Sequence, residues 1–514
     1  MRSGPLVLSA TILTLAGLLA DRAGAAVKLA GIFGDHMVLQ QEKALPVWGT
    51  ADAGESVTVK ITRGGKDLAT QTAKAGADGR WRVDFTAITP GEPVELIASA
   101  TNTVTLTDVL VGDVWLCSGQ SNMQYSVGKD RDGKEELAKA NHPDIRLCAV
   151  GNKPSFEPLA DREMKWVVCT PETAKGFSAV GYFFAAAFQE HADEPIGMIG
   201  SYVSGTPAQS WTPAESLAGS PQLTHYIDEK AKKVASATQP SDANGAPTTL
   251  YNGMIAPLGP LAMRGVLWYQ GESNVGRDEE YRVLFPALIR GWRKQFGQDD
   301  LPFLFVQLPG NGSRVDEPSS SKWDLLREAQ ASALKLPNTG MAVTIDLTPP
   351  RAILHPKNKH DIGQRLELLA QRVAFEADVE ATGPVFESMT VEGSKVRLQF
   401  RKTAGRLETR VPPTEDLSRP TTTPADVLKG FAIAGADRKF VWAEAKIDKD
   451  QVVLWNDAVP APVAVRYGWG QNPEVNFYNK AGLPAAPFRT DDWPVTFEPT
   501  TKEAKEDARP EDAK

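Results

Sequence analysis

The residues best suited to chemistry lie in Gly112 to Gln124, which reads GDVWLCSGQSNMQ. Val114, Trp115, Leu116 and Cys117 form an apolar run that breaks into Ser118, Gly119, Gln120, Ser121 and Asn122. A buried strand ending in a tight polar turn is how α/β enzymes present a nucleophile at the carboxyl edge of a sheet. Ser121 is the candidate. A serine hydroxyl is a weak nucleophile until a base takes its proton, so the reading requires a histidine and oxyanion donors elsewhere. Alone, the segment also fits an ordinary Ser/Gly/Asn turn after a core strand.

Six histidines could supply the base: His36, His142, His191, His225, His355 and His360. His355 and His360 follow a strand-like run in DLTPPRAILHPKNKHDIGQRL. That loop leads from a sheet edge into a helix, on the side where the Ser121 turn opens. Pro356 keeps the preceding residue out of helical backbone, which suits an imidazole carried on a loop. His355 is therefore chosen over His360, which begins the helix. For the acid that would orient the imidazole, Asp346 ends the preceding strand, Asp361 looks like a helix-start residue, and Glu272 ends another strand in WYQGESN. The residues alone leave this choice open. Oxyanion donors could come from GSYVSGTPAQSW, where Gly205 allows close backbone approach, or from LWYQGESN, where Gln270, Gly271 and Asn274 follow an apolar strand. No G-x-S-x-G elbow surrounds Ser121, which argues against the α/β-hydrolase arrangement. No CxxC or HExxH pattern occurs, so neither a metal nor a cofactor is expected. Acids are plentiful, but no spacing singles out a glycosidase pair.

The elements that must position these residues fall into blocks. At 514 residues, the chain is long enough for two to four domains. Hydrophobic content of 42% and charged content of 23% are ordinary for a globular protein, and a net charge of −8 without a basic cluster argues against a nucleic-acid partner. Residues 1–25 read as a signal peptide: Arg2, an apolar core from Leu6 to Ala20, and Ala23-Gly24-Ala25 as a cleavage pattern. Residues 26–108 carry short β runs separated by turns such as ADAGE and RGGKD, a small sandwich. Residues 109–380 alternate strands and helices, which implies an α/β domain with a parallel sheet. Expected strands are Asp113–Cys117, Asp144–Val150, Ile196–Val203, Gly265–Tyr269, Phe303–Leu308 and Met341–Ile345, and expected helices Ser178–His191, Glu279–Phe296, Lys322–Leu336 and Asp361–Ala377. Gly219 to Ala246 is polar and reads as a surface excursion. Residues 381–498 return to β runs, and 499–514 read as a solvated tail. The three cysteines, Cys117, Cys148 and Cys169, make no disulfide framework, although Cys148 and Cys169 could pair.

Taken together, these motifs resemble the sialate O-acetylesterases. GDVWLCSGQSNM, SGT, LYNGMIAPL, RGVLWYQGESN and LHPKNKHDIGQRL follow in that family's order. FGDHMVLQ, VWGTADAGE and DGRWRV are similar to its N-terminal β domain, and RYGWGQNPEVNFYNKAGLPAAPFRT to its C-terminal end. The likeness spans nearly the whole mature chain. It implies a flavodoxin-like SGNH hydrolase domain that removes acetyl groups from sugars through an acetyl-enzyme. Carried over, Ser121 is the nucleophile, His355 the base and Gly205 the second-block glycine. Gln270 stands where many SGNH enzymes carry an oxyanion asparagine. One position departs: the acid commonly found three residues before the histidine is Ala352 here. That leaves Asp346 first, Glu272 second, or a Ser–His pair helped by a backbone carbonyl. The resemblance implies an acetylated carbohydrate as partner, either sialic acid or a polysaccharide such as xylan, and export to the periplasm or medium. A carbohydrate-binding protein with an inactive hydrolase domain is the rival from another class. If the leader is processed, mass spectrometry of exported protein finds a mature chain beginning near Ala26. Exported protein that retains Met1 overturns cleavage.

Overall fold

The computed structural model describes residues 26–413 and 427–495. The expected leader and the expected tail lie outside them. In the N-terminal block, polar and apolar residues alternate, and the strands follow that period. Trp81, Val83 and Phe85 of Arg80–Phe85 are buried, while Arg80, Arg82 and Asp84 are exposed. A period of two leaves one face in the core and the other in water. Ser56–Arg63 pairs antiparallel with Lys66–Lys74 and Val94–Ser99, and Leu45–Thr50 pairs with Arg80–Phe85.

One strand joins this sandwich to the α/β domain. β1 (Thr103–Gly119) alternates in burial through its first residues and is fully buried from Val109 onward. Its first part pairs antiparallel with Val94–Ser99. Its last part lies in a parallel sheet, where both faces are covered and alternation is lost. The boundary expected at 108/109 therefore falls inside a continuous strand. Buried Asp113 reinforces the junction by binding Arg264 (2.6 Å), Gln40 (2.7 Å) and Gln41 (3.2 Å).

The remaining strands of this sheet are β2 (His142–Ala149), β3 (Trp166–Cys169), β4 (Ile196–Tyr202), β5 (Gly265–Tyr269), β6 (Phe303–Val306) and β7 (Thr339–Ala342). Their order is β3-β2-β4-β1-β5-β6-β7, parallel except for β3. Set the β2–β3 hairpin aside, and the five strands left read 2-1-3-4-5 in their own chain order, the flavodoxin-like arrangement. The chain leaves β1 for one side of the sheet and later crosses to β5 on the other. The carboxyl end of β1 is thus the switch point, where open α/β sheets bind ligands. There the short helix α1 (Ser121–Gln124) begins.

Helices cover both faces. α2 (Ala179–Ala192) packs with the last helix on one side, and α3 (Asp278–Phe296) with α4 (Lys322–Ala331) on the other. The last helix, α5 (His360–Ala374), approaches α2 so closely that a Cβ on Gly363 would lie 2.6 Å from the Phe183 Cβ. Several expected elements end early, among them β6 at Val306 and α5 at Ala374. β7 stops at Ala342 because Ile345–Leu347 turns as a 3-10 helix, and α4 stops at Ala331 before a 3-10 turn over Ser332–Lys335. The excursion from Gly219 to Ala246 contains a helix, His225–Ser236. The cysteines are free; β2 and β3 set Cys148 opposite Trp166 and Cys169 opposite His142. Burial pushes each thiol up to about 12, so all three behave as small apolar residues.

The C-terminal block forms two four-stranded antiparallel sheets. One contains Val385–Glu392, Lys395–Arg401, Glu444–Asp448 and Gln451–Trp455, and the other Phe431–Ala434, Phe440–Trp442, Ala464–Tyr467 and Phe488–Arg489. Fully buried Arg327 on α4 staples this block to the α/β domain. Its guanidinium donates to the carbonyls of Leu308 (2.9 Å), Pro309 (2.8 Å), Gly470 (2.8 Å) and Gln471 (2.9 Å).

Gly119 is a point of close approach at the carboxyl end of β1. Its φ is +139°, and a Cβ there would sit 2.1 Å from the Tyr269 carbonyl oxygen. Gly119→Ala combines backbone strain with overpacking, so chemical denaturation should show a loss of about 3 kcal/mol or more. Wild-type stability in that variant would refute the close approach.

Candidate active site

Ser121 is partly exposed and opens α1. Gln120 before it is extended, and its carbonyl accepts the N–H groups of Met123 (3.0 Å) and Gln124 (2.9 Å), which starts the helix. Neighbouring turns hold this one in place. Gln120 N–H donates to Tyr269 O at the end of β5 (3.1 Å), and Val203 N–H after β4 donates to Gly119 O (3.1 Å). Ser204 donates its N–H (2.8 Å) and hydroxyl (2.7 Å) to Gln124 Oε1. Gly205 follows with φ +72°, is exposed, and faces open space.

His355 lies on the loop between β7 and α5, and that loop is tied to the nucleophile turn. Asn122 Nδ2 donates to the carbonyl of Leu354 (3.0 Å) and to Glu272 Oε1, while Asn122 Oδ1 accepts from Lys359 Nζ (2.6 Å). Lys359 N–H donates to Asp130 Oδ2 (2.9 Å), and Arg131 N–H to Lys357 O (3.1 Å). The residue after Ser121 and the residue before His355 are therefore bonded directly. Among the described residues the Nε2 of His355 is buried without a hydrogen-bond partner, and no hydrogen bond joins Ser121 to His355.

Other expected site residues are held differently. Asp346 is fully engaged: Arg365 donates to both its oxygens (2.7 and 2.6 Å), and the Tyr478 hydroxyl donates to Oδ2 (2.9 Å). It does not orient His355, because the 3-10 turn at Ile345–Leu347 turns its carboxylate to α5 and the C-terminal block. Gln270 and Asn274 are buried and bonded to each other (2.7 Å). Gln270 also donates to Gln120 Oε1 (3.2 Å) and accepts from Tyr281 (3.1 Å). Asn274 holds the turn after Gly205 through Ala208 N–H (2.9 Å) and Gln209 Oε1 (3.1 Å). Both amides brace the turns. Glu272 has one oxygen on Asn122 and the other buried without a partner; burial raises its pKa, and the Asn122 bond opposes that rise. His360 begins α5, against Phe183 and 3.2 Å from Gln364. Asp361 bonds Asn358 at the start of that helix (2.6 Å). Asn122 and Lys359 were missed as site residues, although both stand inside the motifs GQSNM and HPKNK. No group of three or more His, Cys, Asp or Glu among the described residues could hold a metal ion. No helix among them is long and apolar enough to cross a membrane.

A family model described as carbohydrate esterase, sialic acid-specific acetylesterase matches residues 111–371. The sialate O-acetylesterase of Homo sapiens is 33% identical over 414 residues, covering 74% of this chain and 77% of its own. The chain belongs to this family. The sialate O-acetylesterase of Mus musculus is 29% identical, covering 93% of this chain and 96% of its own. Among solved structures, a carbohydrate acetylesterase from Xanthomonas citri is 38% identical with a TM-score of 0.80, covering 91% of this chain and 100% of that one. The matched span opens inside β1 and closes inside α5, so it encloses Ser121, Gly205, Glu272 and His355.

In this acetylesterase family member, the electrostatics favour a neutral imidazole. Burial first, then the charges of Lys359 and Lys129, hold His355 below the usual imidazole range. A neutral imidazole can accept a proton, so ester hydrolysis should persist to lower pH than an ordinary histidine base allows. Lys129 is exposed, and removing its charge makes the imidazolium easier to form. In Lys129→Gln the acid limb of kcat/KM should move to higher pH, with the plateau rate retained. A limb that stays put, or moves to lower pH, would show that a different group controls it.

Proposed function

We propose that the protein is an exported carbohydrate O-acetylesterase of the SGNH type, acting through Ser121. The observation that carries this reading is the convergence of the Ser121 turn, the open Gly205 turn and the His355 loop at one sheet switch point, tied to each other by hydrogen bonds. His355 takes the hydroxyl proton as Ser121 attacks the acetyl carbonyl. The tetrahedral oxyanion rests on the N–H groups of Ser121 and Gly205, which have no other acceptor among the described residues. Gln270 and Asn274 brace those turns from behind. His355 returns the proton to the departing sugar oxygen, and water then hydrolyses the acetyl-enzyme by the same route in reverse.

No carboxylate among the described residues bonds His355. The reading is therefore a Ser–His pair whose imidazole is aimed by its loop, with Asp346 anchoring that loop through Arg365. The family likeness supports an acetyl ester on a sugar and leaves the sugar open between sialic acid and other acetylated carbohydrates. The test is acetate release from 4-nitrophenyl acetate by wild type, Ser121→Ala and His355→Ala. Both variants should lose at least ~1,000-fold in kcat/KM with unchanged melting temperature. Retained turnover in Ser121→Ala sinks the nucleophile assignment. An inactive wild type that still binds glycan would favour the carbohydrate-binding reading.

A further inference from the structure

An unassigned feature of the surface lies between the loop that follows β6 and the C-terminal block. The loop between β6 and α4 faces the C-terminal block across a cavity of about 770 Å³, lined by Phe440, Trp442, Trp469 and Trp493 together with serines of the loop. A second cavity of about 370 Å³ continues from it past Trp442 and Trp469. The two share Val315, Ser319, Trp442, Trp469, Gln471 and Asn472 and so form one groove.

Its aromatic walls are held in place. Trp442 Nε1 donates to Asp316 O (2.6 Å), and Trp469 Nε1 to Ser320 Oγ (3.0 Å). The Arg466 guanidinium lies over Phe440 (4.2 Å) and is held by Asp491 (2.9 and 2.8 Å). The Arg438 guanidinium lies over Trp493 (5.2 Å). Trp442, Trp493 and Phe440 nevertheless remain partly exposed, and Val315 at the rim is 56% exposed. Pinned aromatic rings beside hydroxyl and amide groups suit a ligand with apolar C–H faces and a polar edge, which is the character of a pyranose chain.

The groove wall is hydrogen-bonded to the segment that leads to His355. Gly312–Ser313, at its wall, pairs antiparallel with Arg351–Ala352. The strand ends at Ala352 and His355 lies in the loop just after it, so it is within ~14 Å of Arg351 along the chain. β6 and β7 are parallel, so both loops leave the sheet on the same edge.

We propose that this groove binds the backbone of an acetylated polysaccharide and presents one of its acetyl groups to Ser121. The inference rests on the acetylesterase reading and names its substrate class as polymeric. Binding energy from sugars that do not react then draws the ester to the nucleophile. A small acetyl ester or a single acetylated sugar does not fill both cavities and gains no such advantage.

The test compares wild type, Trp442→Ala and Trp493→Ala on 4-nitrophenyl acetate, O-acetylated sialic acid, and acetylated xylan, glucomannan and pectin. At least one polymer should be a better substrate than the monosaccharide. Both variants should raise its KM about tenfold or more while keeping kcat/KM on 4-nitrophenyl acetate within about twofold. Unchanged polymer KM in both variants overturns the groove, as does turnover of the monosaccharide without any polymer. Failure of wild type on 4-nitrophenyl acetate instead tells against the serine-esterase reading. In that event affinity electrophoresis in gels containing each polysaccharide decides the groove: retardation of wild type that weakens in Trp442→Ala supports it, and equal or absent retardation removes it.

Discussion

The side-chain amide of Asn122 joins the three segments on which the candidate site depends. It donates to Glu272 and to the Leu354 carbonyl, and it accepts from Lys359, while Asn122 itself is fully buried. Those partners belong to the turn after β5, the loop carrying His355 and the start of α5. A buried polar group left unpaired costs about 1–3 kcal/mol, so each partner is held to the position the amide requires. The Lys359 ammonium is further stabilised over the rings of Tyr125 (5.1 Å) and Tyr269 (5.2 Å). Because Asn122 follows Ser121 and Leu354 precedes His355, one amide sets the separation between nucleophile and base.

That join needs a rigid platform, and β1 supplies it. One strand serves as an edge of the N-terminal sandwich and as the centre of the parallel sheet, so the sandwich buttresses the site although it adds no reacting group. At the far end of β1, close packing under Tyr269 admits only glycine at 119. The tight packing brings the Ser121 turn against the turns that follow β4 and β5.

The C-terminal block completes the frame through buried charge. Arg365 on α5 is clamped by Asp346, which also accepts from Tyr478 of the C-terminal block. Arg327 reaches the same block through backbone carbonyls alone. Burying these groups is tolerable only with their partners in place, so the block and the His355 loop are locked into one arrangement. The groove between the block and the β6–α4 loop is a consequence of that placement.

The amino-acid sequence by itself determined the order of the parts. The change of apolar period from two to near-continuous runs separated by helices marked the α/β region, because burial of one face or both leaves a direct trace in composition. Ser121, Gly205, Glu272 and His355 stood out in the sequence because each stands in a polar break after an apolar run. Partnership was not legible. Asp346 looked like an acid for His355 because it was near in sequence, yet Arg365 and Tyr478, 19 and 132 positions away, hold it. Gln270 and Asn274 read as oxyanion donors, and only the packing of the 206–209 turn showed that they brace it. The aromatic groove joins residues from two blocks that no local pattern connects. Which polar groups end up bonded is decided when distant segments exclude water together, and that depends on the tertiary structure, not on spacing along the chain.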